Sequence, residues 1–111
     1  MLVNSSRLDS YNFKGKKVLI SQPMKGKKRE EIENERKNIV DAVTSLGGEV
    51  IQSILPEEVL SKNKPLWCLG ESLKMLSEAD VAIFLPGWKD ARGCVAERYA
   101  CQNYEIDAIE I

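Results

Sequence analysis

Short apolar runs alternate along the chain with longer segments of helical period. Four runs are rich in Val, Ile, Leu and Phe: KKVLISQ (16–22), EVIQSI (49–54), DVAIFLP (80–86) and EIDAIEI (105–111). Runs of this length and composition are typical of buried strands. The third run is almost entirely apolar, so we expect both faces of that strand to be covered.

The segments between these strands predict three helices. The first follows Lys28 and ends at Gly47-Gly48, since glycine pairs commonly stop helices. A second is expected from about Pro65, because proline is favoured in the first helical turn. A third begins at Ala91 or Arg92. The first two carry an apolar stripe at three- and four-residue spacing: Ile32, Ile39, Val40, Val43 and Leu46, then Leu66, Leu69, Leu73 and Leu76.

Strands that alternate with helices predict an α/β domain with a parallel sheet and helices on both of its faces. We assign this domain to residues 16–111, with residues 1–15 as an N-terminal arm or an extra element laid on the core. Ligands of such sheets bind beyond the carboxyl ends of the strands, where the strand order switches direction. The loops SQPMKGKK (21–28) and PGWKDARG (86–93) leave two of these ends. Asp80 begins the third strand, so we expect it at the opposite end, in a structural role.

Composition excludes several classes of function. With 111 residues and a formal net charge of −1, the chain is expected to form one domain without an electrostatic case for binding nucleic acid or an anionic membrane. Its first residues lack the pattern of a signal peptide, so we expect a cytoplasmic protein. The sequence contains no histidine, which removes Ser-His-Asp and Cys-His catalysis and most zinc sites. The three cysteines form no CxxC pair, and we interpret them as reduced thiols.

Glu97 lacks the ion-pair partners that an exposed helical glutamate commonly has three or four residues away. Those positions hold Gly93, Cys94, Ala100 and Cys101, which are small and uncharged. Gly93 is offset from Glu97 by about 40° around the helix, so its missing side chain opens space beside the carboxylate. Two interpretations stay open: a carboxylate directed at a cavity, or a buried glutamate bonded to a backbone amide or to a distant Lys or Arg.

The loop after the first strand only partly matches a phosphate-binding loop. GKK resembles the end of GxxxxGK[ST], but Ser21 stands where the first glycine belongs and Lys28 where Ser or Thr is needed, so we do not assign a nucleoside-triphosphatase. Ser21, the flexible Gly26 and backbone amides entering a helix can still hold an anion, with Lys25, Lys27 and Lys28 adding charge. The alternative is a solvated basic cluster.

The loop after the third strand carries several candidates. Gly87 suggests a tight turn and Trp88 an aromatic wall for a ligand, while Asp90 and Arg92 are either ligand contacts or a pair that fixes the loop. Cys94 lies in the first turn of a helix, where a thiol pKa can be lowered enough for nucleophilic or redox chemistry. The alternative for Cys94 is a small, inert packing residue.

Three stretches occur in a characteristic order: ISQPMKGK (20–27), LWCLGESLKMLSEADVAIFLPGW (66–88) and ARGCVAE (91–97). Together they resemble the nucleoside 2-deoxyribosyltransferase-like family, in particular a compact subgroup frequent in bacteria and phages. The resemblance covers the chain from about Lys17 to Ile111. It implies a flavodoxin-like or Rossmann-like three-layer sandwich with a four- to five-stranded parallel sheet.

The resemblance also implies chemistry at the glycosidic bond of a nucleoside or nucleotide. The position that matches the family's nucleophilic glutamate is Glu97, which would attack the anomeric carbon and form a glycosyl-enzyme ester. The loop Ser21, Gln22, Pro23, Met24 would face the sugar and base, and Gly93 with Cys94 matches the small residues before the glutamate. No cofactor and no metal is needed. A homodimer or larger assembly is expected, since many members complete the pocket with a neighbouring subunit.

Two features depart from the family's pattern. True transferases tend to carry an aspartate six residues before the nucleophile, where this chain has Ala91 and the nearest aspartate is Asp90. The residue that orients the glutamate is not identified, with Tyr11, Tyr99 and Trp88 as candidates.

We therefore expect N-glycosidic cleavage or deoxyribosyl transfer on a small molecule, a 2′-deoxynucleoside or its 5′-monophosphate. Asp90 would serve as the acid or base-binding group. The lysines of the 21–28 loop, together with Arg92, favour the phosphorylated substrate. Two alternatives are a non-catalytic nucleotide-binding or sensing module and a nicotinamide adenine dinucleotide glycohydrolase.

Overall fold

The alternation of strands and helices is confirmed in a computed structural model, which describes residues 8–56 and 58–111. The elements in chain order are β1 (Lys17–Ser21), α1 (Arg29–Ser45), β2 (Glu49–Val50), α2 (Lys64–Leu76), β3 (Val81–Phe84), a short 3-10 turn (Trp88–Asp90), α3 (Arg92–Asn103) and β4 (Asp107–Glu110).

The four strands form one parallel sheet in the order β2-β1-β3-β4. β1 pairs with β3 along its length, from Val18 opposite Val81 to Ser21 opposite Phe84. The strand order reverses between β1 and β3, which places the topological switch point at their shared carboxyl end. The α/β, flavodoxin-like architecture is therefore confirmed, with four strands.

Alternate residues of the central strands enter two separate cores, as a sheet covered on both faces requires. On the α1 side, Val18, Ile20, Val81 and Ile83 pack with Ile39 and Val43. On the α2 and α3 side, Leu19, Ala82 and Phe84 pack with Leu76 and Cys101. All four residues of β3 are fully buried, which confirms that both faces of this strand are covered.

The helix boundaries follow the predicted signals. α1 ends where Gly47 adopts a left-handed φ of 88°, and the Gly48 amide donates to the Val43 carbonyl at 2.9 Å. α2 has Pro65 in its first turn, and the Asn63 side chain accepts a hydrogen bond from the Leu66 amide at 3.1 Å. Of the four leucines on the α2 stripe, however, only Leu76 is buried.

The second strand is shorter than predicted. Residues 49–54 are predicted as a strand from the sequence, but only Glu49–Val50 is regular β-structure. The Ile51 amide still donates to the Val18 carbonyl at 2.9 Å. Beyond that residue the chain leaves the sheet, and the buried Ser53 hydroxyl accepts a hydrogen bond from Arg36 of α1.

Residues 8–15 pack on the α1 side of the sheet, where Leu8 and Phe13 are buried in the core. The remainder of the predicted arm, residues 1–7, lies outside the described residues. The Tyr11 hydroxyl donates to Asp107 at 2.7 Å, and the Lys17 amide donates to the Asp80 carboxylate at 2.8 Å. These contacts lie at the amino ends of the strands, which confirms that Asp80 is structural. Among the described residues, no helix combines the length and apolar character of a membrane span.

Candidate functional site

A cavity of about 1120 Å³ opens beyond the carboxyl ends of β1 and β3. This is the switch point of the sheet, and the volume suits a nucleotide-sized ligand. The beginnings of α1, α2 and α3 surround it. Most residues singled out in the sequence line this one cavity: Ser21, Gln22, Pro23, Met24, Lys25, Gly87, Asp90, Arg92, Gly93, Cys94 and Glu97.

Two of the predicted site residues, Gly26 and Trp88, are not part of the cavity lining. The Trp88 ring packs on Phe84, with ring centroids 5.5 Å apart, and joins the core on the α2 and α3 side. Its outer face is covered by Lys89, whose Nζ lies 5.8 Å from the ring centroid. The aromatic wall expected from Trp88 is therefore a core contact.

Glu97 lies on α3 and lines the cavity, although the residue is only 8% exposed. Within the described part of the chain it forms no ion pair. Arg98, the next residue, instead fixes α3 to β4 through an ion pair with Glu110 at 2.8 Å. Burial raises the pKa of Glu97 to about 7, and the nearby Ser21 hydroxyl opposes part of this rise.

Ser21 ends β1 beside Glu97 and Cys94. Its hydroxyl is buried, and it completes no hydrogen bond at normal geometry with any described residue. Unpaired buried hydroxyls are uncommon, because they lose their hydrogen bonds to water without replacement. Since Ser21 also lines the cavity, a bound ligand is an available partner for this hydroxyl.

The Cys94 thiol does not have the properties of an activated nucleophile. It is buried, and burial raises its pKa, with the Glu97 charge acting in the same direction. The thiolate is therefore disfavoured despite the position of Cys94 in the first turn of α3. This geometry favours the second interpretation, a small residue that packs beside Glu97.

Two glycines shape the cavity. Gly87 has a φ of 91°, and a Cβ added there would lie 3.3 Å from Cγ of Pro23, so this turn brings the two loops into contact. A Cβ added at Gly93 would meet no described heavy atom within 4 Å, apart from its chain neighbours and the backbone of its own helix. The open space beside Glu97 that the sequence indicated is therefore present.

The basic residues in and directly after the first loop differ in whether they already bind another group of the protein. The Lys27 ammonium pairs with Glu35 at 2.7 Å, and Arg29 donates to the Leu55 carbonyl at 3.0 Å. Both of these basic residues line the cavity, and so does Lys25, which forms no ion pair with any described residue. In the second loop, Asp90 and Arg92 likewise line the cavity and do not pair with each other. The alternative of a loop-fixing pair is therefore excluded.

None of the three candidates for orienting Glu97 lies at the cavity. Tyr11 donates a hydrogen bond to Asp107 at the opposite end of the sheet, and burial, together with this bond, raises the Tyr11 pKa to about 12. Tyr99 is exposed on α3, and neither it nor Trp88 lines the cavity.

Two polar residues at this site, Arg36 and Ser53, are not among those predicted from the sequence. The buried polar and charged side chains of the described chain are Ser21, Gln22, Arg36, Ser53 and Glu97. Four of them line the cavity, and Arg36 lies directly behind, bonded to two of the four. The sequence signal for Arg36 was its position on the buried stripe of α1, between Ile32 and Ile39. A charged residue on a core-facing stripe needs partners.

Within residues 8–56 and 58–111, no cluster of three or more His, Cys, Asp or Glu side chains is placed to hold a metal ion. Comparisons of the chain with known protein families, with curated proteins and with solved structures find no match.

Proposed function

We propose that the protein cleaves the N-glycosidic bond of a 2′-deoxynucleoside 5′-monophosphate or the parent nucleoside, with Glu97 as the nucleophile. One observation carries the proposal: a buried carboxylate that forms no ion pair with any described residue lines a large cavity at the switch point of the sheet. A carboxylate beside the anomeric carbon stabilises an oxocarbenium-like transition state and can form a covalent intermediate.

In this mechanism the Glu97 carboxylate attacks the anomeric carbon as the bond to the base breaks. The electron pair of that bond leaves with the base, which takes up a proton from Asp90 or from water. Water, or a second base in a transfer reaction, then attacks the same carbon, gives up a proton and restores the carboxylate. A pKa of about 7 for Glu97 leaves a substantial ionised fraction at neutral pH.

The charges around the cavity favour a phosphorylated substrate. Among the residues that the structure describes, five cationic side chains and two carboxylates, Asp90 and Glu97, line it; the cations are Lys25, Lys27, Arg29, Lys64 and Arg92. A neutral nucleoside needs none of these cations, whereas a 5′-phosphate is attracted to them and to the surrounding helix N-termini.

Chromatography of reaction mixtures tests the proposal. Wild type, Glu97→Gln and Asp90→Asn would be incubated with deoxynucleosides and their 5′-monophosphates, with and without a free acceptor base. We expect wild type to release base, Glu97→Gln to release none, and Asp90→Asn to be slowed. A new nucleoside formed only with the acceptor present would identify a transferase. Equal base release by wild type and Glu97→Gln would remove Glu97 from the reaction.

A second candidate is nucleotide binding without turnover. The observation that favours it is Ala91, which stands where similar transferases carry an aspartate. In that case no base is released, while nucleotides bind wild type and Glu97→Gln equally well. Adding nicotinamide adenine dinucleotide to the substrate panel tests the third candidate, because only a glycohydrolase of that dinucleotide releases nicotinamide.

The homo-oligomer expected from the resemblance stays a prediction. α2 leaves Leu66, Trp67 and Leu73 exposed, and Leu66 also lines the cavity. A second subunit packed on this face would shield apolar surface close to the site. Light scattering of the purified protein gives the subunit number directly.

A further inference from the structure

Arg36 is a buried cation whose hydrogen-bond partners are uncharged. Its side chain lies in α1 and is only 5% exposed. Nε donates to Oε1 of Gln22, and Nη1 donates to Oγ of Ser53 at 3.1 Å. Nη2 is buried and has no partner among the described residues. Burying a guanidinium with neutral partners costs free energy, so this arrangement needs an explanation beyond packing.

The bonds from Arg36 decide what its two partners present to a ligand. Gln22 accepts through Oε1 and donates one Nε2 hydrogen to the Ile32 carbonyl at 3.1 Å, which leaves its second N–H. Ser53 accepts through Oγ, which leaves its hydroxyl hydrogen. Both residues line the cavity. With Arg36 in place, their remaining capacity is therefore mainly that of hydrogen-bond donors.

The two donors, Gln22 and Ser53, lie on the α1 face of the sheet, whereas Glu97 lies on the α3 face. Along β1, Val18 and Ile20 point to the α1 side and Leu19 to the α3 side. The same alternation sends Ser21 towards Glu97 and Gln22 towards α1, in agreement with the hydrogen bond between Gln22 and Arg36. Glu97 and the two donors thus line the same cavity from different faces of the sheet, where one ligand could reach both.

We propose that Arg36 is a positioning residue, which fixes Gln22 and Ser53 as donors to an acceptor oxygen of the substrate. The proposal rests on the proposed function for the class of substrate. The acceptor is an oxygen of the 5′-phosphate or of the sugar and base. Arg36 also borders a smaller cavity of about 470 Å³, but Glu33 and Asp41 line that cavity as well, and their carboxylates disfavour an anion there.

Calorimetric titration separates binding from turnover. The four common 2′-deoxynucleoside 5′-monophosphates and their nucleosides would be titrated into Glu97→Gln, which we expect to bind without reacting. Adding Ser53→Ala should lower the affinity for the nucleotide roughly tenfold, which is the effect of losing one hydrogen bond to a ligand. Ser61→Ala, at an exposed position outside the cavity lining, is the matched control and should change nothing. If Ser53→Ala lowers the affinity for monophosphates only, the acceptor oxygen belongs to the phosphate. If it lowers the affinity for monophosphates and nucleosides alike, the acceptor belongs to the sugar or base.

A double-mutant cycle tests whether Arg36 acts through Ser53. Arg36→Met should weaken binding at least as much as Ser53→Ala, and combining the two should cost no more than Arg36→Met alone. In protein that keeps Glu97, Ser53→Ala should raise KM with less change in kcat. A merely structural Arg36 would lower the melting temperature and leave nucleotide affinity intact. Since Ser53→Ala removes only a hydroxyl, it gives a result even if Arg36→Met does not fold.

Three outcomes would overturn the proposal: unchanged affinity in Ser53→Ala, additive losses in the cycle, or no binding of any nucleotide or nucleoside. The proposed function fails separately, if wild type binds the panel and releases no base. In that case the affinities still decide the role of Arg36.

Discussion

Replacing Glu97 by Gln is expected to stabilise the protein at alkaline pH. Burial raises the Glu97 pKa from its ordinary 4.5 to about 7, so the folded state holds the proton more tightly than the unfolded state. The stability that this proton contributes is fully present below pH 4.5 and is lost as pH rises to about 7. With about 1.4 kcal/mol per pKa unit, the full loss is about 3 kcal/mol.

Glu97→Gln keeps the shape of the side chain and removes its charge. Its free energy of unfolding should exceed that of wild type by about 3 kcal/mol at pH 8.5 and by less than about 1 kcal/mol at pH 5. For a domain of this size, the alkaline difference raises the melting temperature by roughly 10–20 °C. Urea unfolding and thermal melts across this pH range provide both measurements.

Glu78→Gln is the matched control for this prediction. Glu78 is exposed after the end of α2, so the same chemical change should alter stability little at either pH. The reasoning would be refuted if wild type and Glu97→Gln had the same free energy of unfolding at pH 8.5 and the same dependence of that free energy on pH. Such a result would mean that the carboxylate is solvated or paired in the folded protein, and the case for a nucleophile would weaken with it.

Three other predictions follow from the structure. The rate of base release by wild type should rise with pH and level off above about pH 7, because Glu97 must be ionised to act as a nucleophile. A rate that falls over this range would indicate that Glu97 acts as a general acid. Gly93→Ala should fold normally and melt at a slightly higher temperature, since the added Cβ meets open space and alanine favours helix. The same variant should have a kcat/KM at least about tenfold lower, because the methyl group occupies space beside Glu97, and unchanged turnover would contradict a substrate there. Gly48→Ala should lose roughly 1–3 kcal/mol of stability, because its Cβ would lie 2.6 Å from Cγ1 of Val43; urea unfolding measures this, and an unchanged midpoint would contradict it.

The sequence by itself determined the architecture and the place of the site. Short apolar runs and helical spacing are local patterns, and they report which segments are buried and which helix face is apolar. A parallel sheet then brings its carboxyl ends to one edge, whatever the details of packing. For that reason the loops around Ser21 and Gly87 could be assigned to a common cavity. The small neighbours of Glu97 are equally local, since they follow from spacing along one helix.

Only the tertiary structure decided which partner each side chain meets. Trp88 satisfies the preferences of a core residue and of a ligand wall equally well, and its contact with Phe84 selects the core. Arg36 and Ser53 lie 17 positions apart, and their hydrogen bond joins α1 to the segment that follows β2. The pKa of Glu97 depends on water being excluded by several segments at once. Such contacts between distant segments leave no periodic signal in the sequence, so these features required the folded chain.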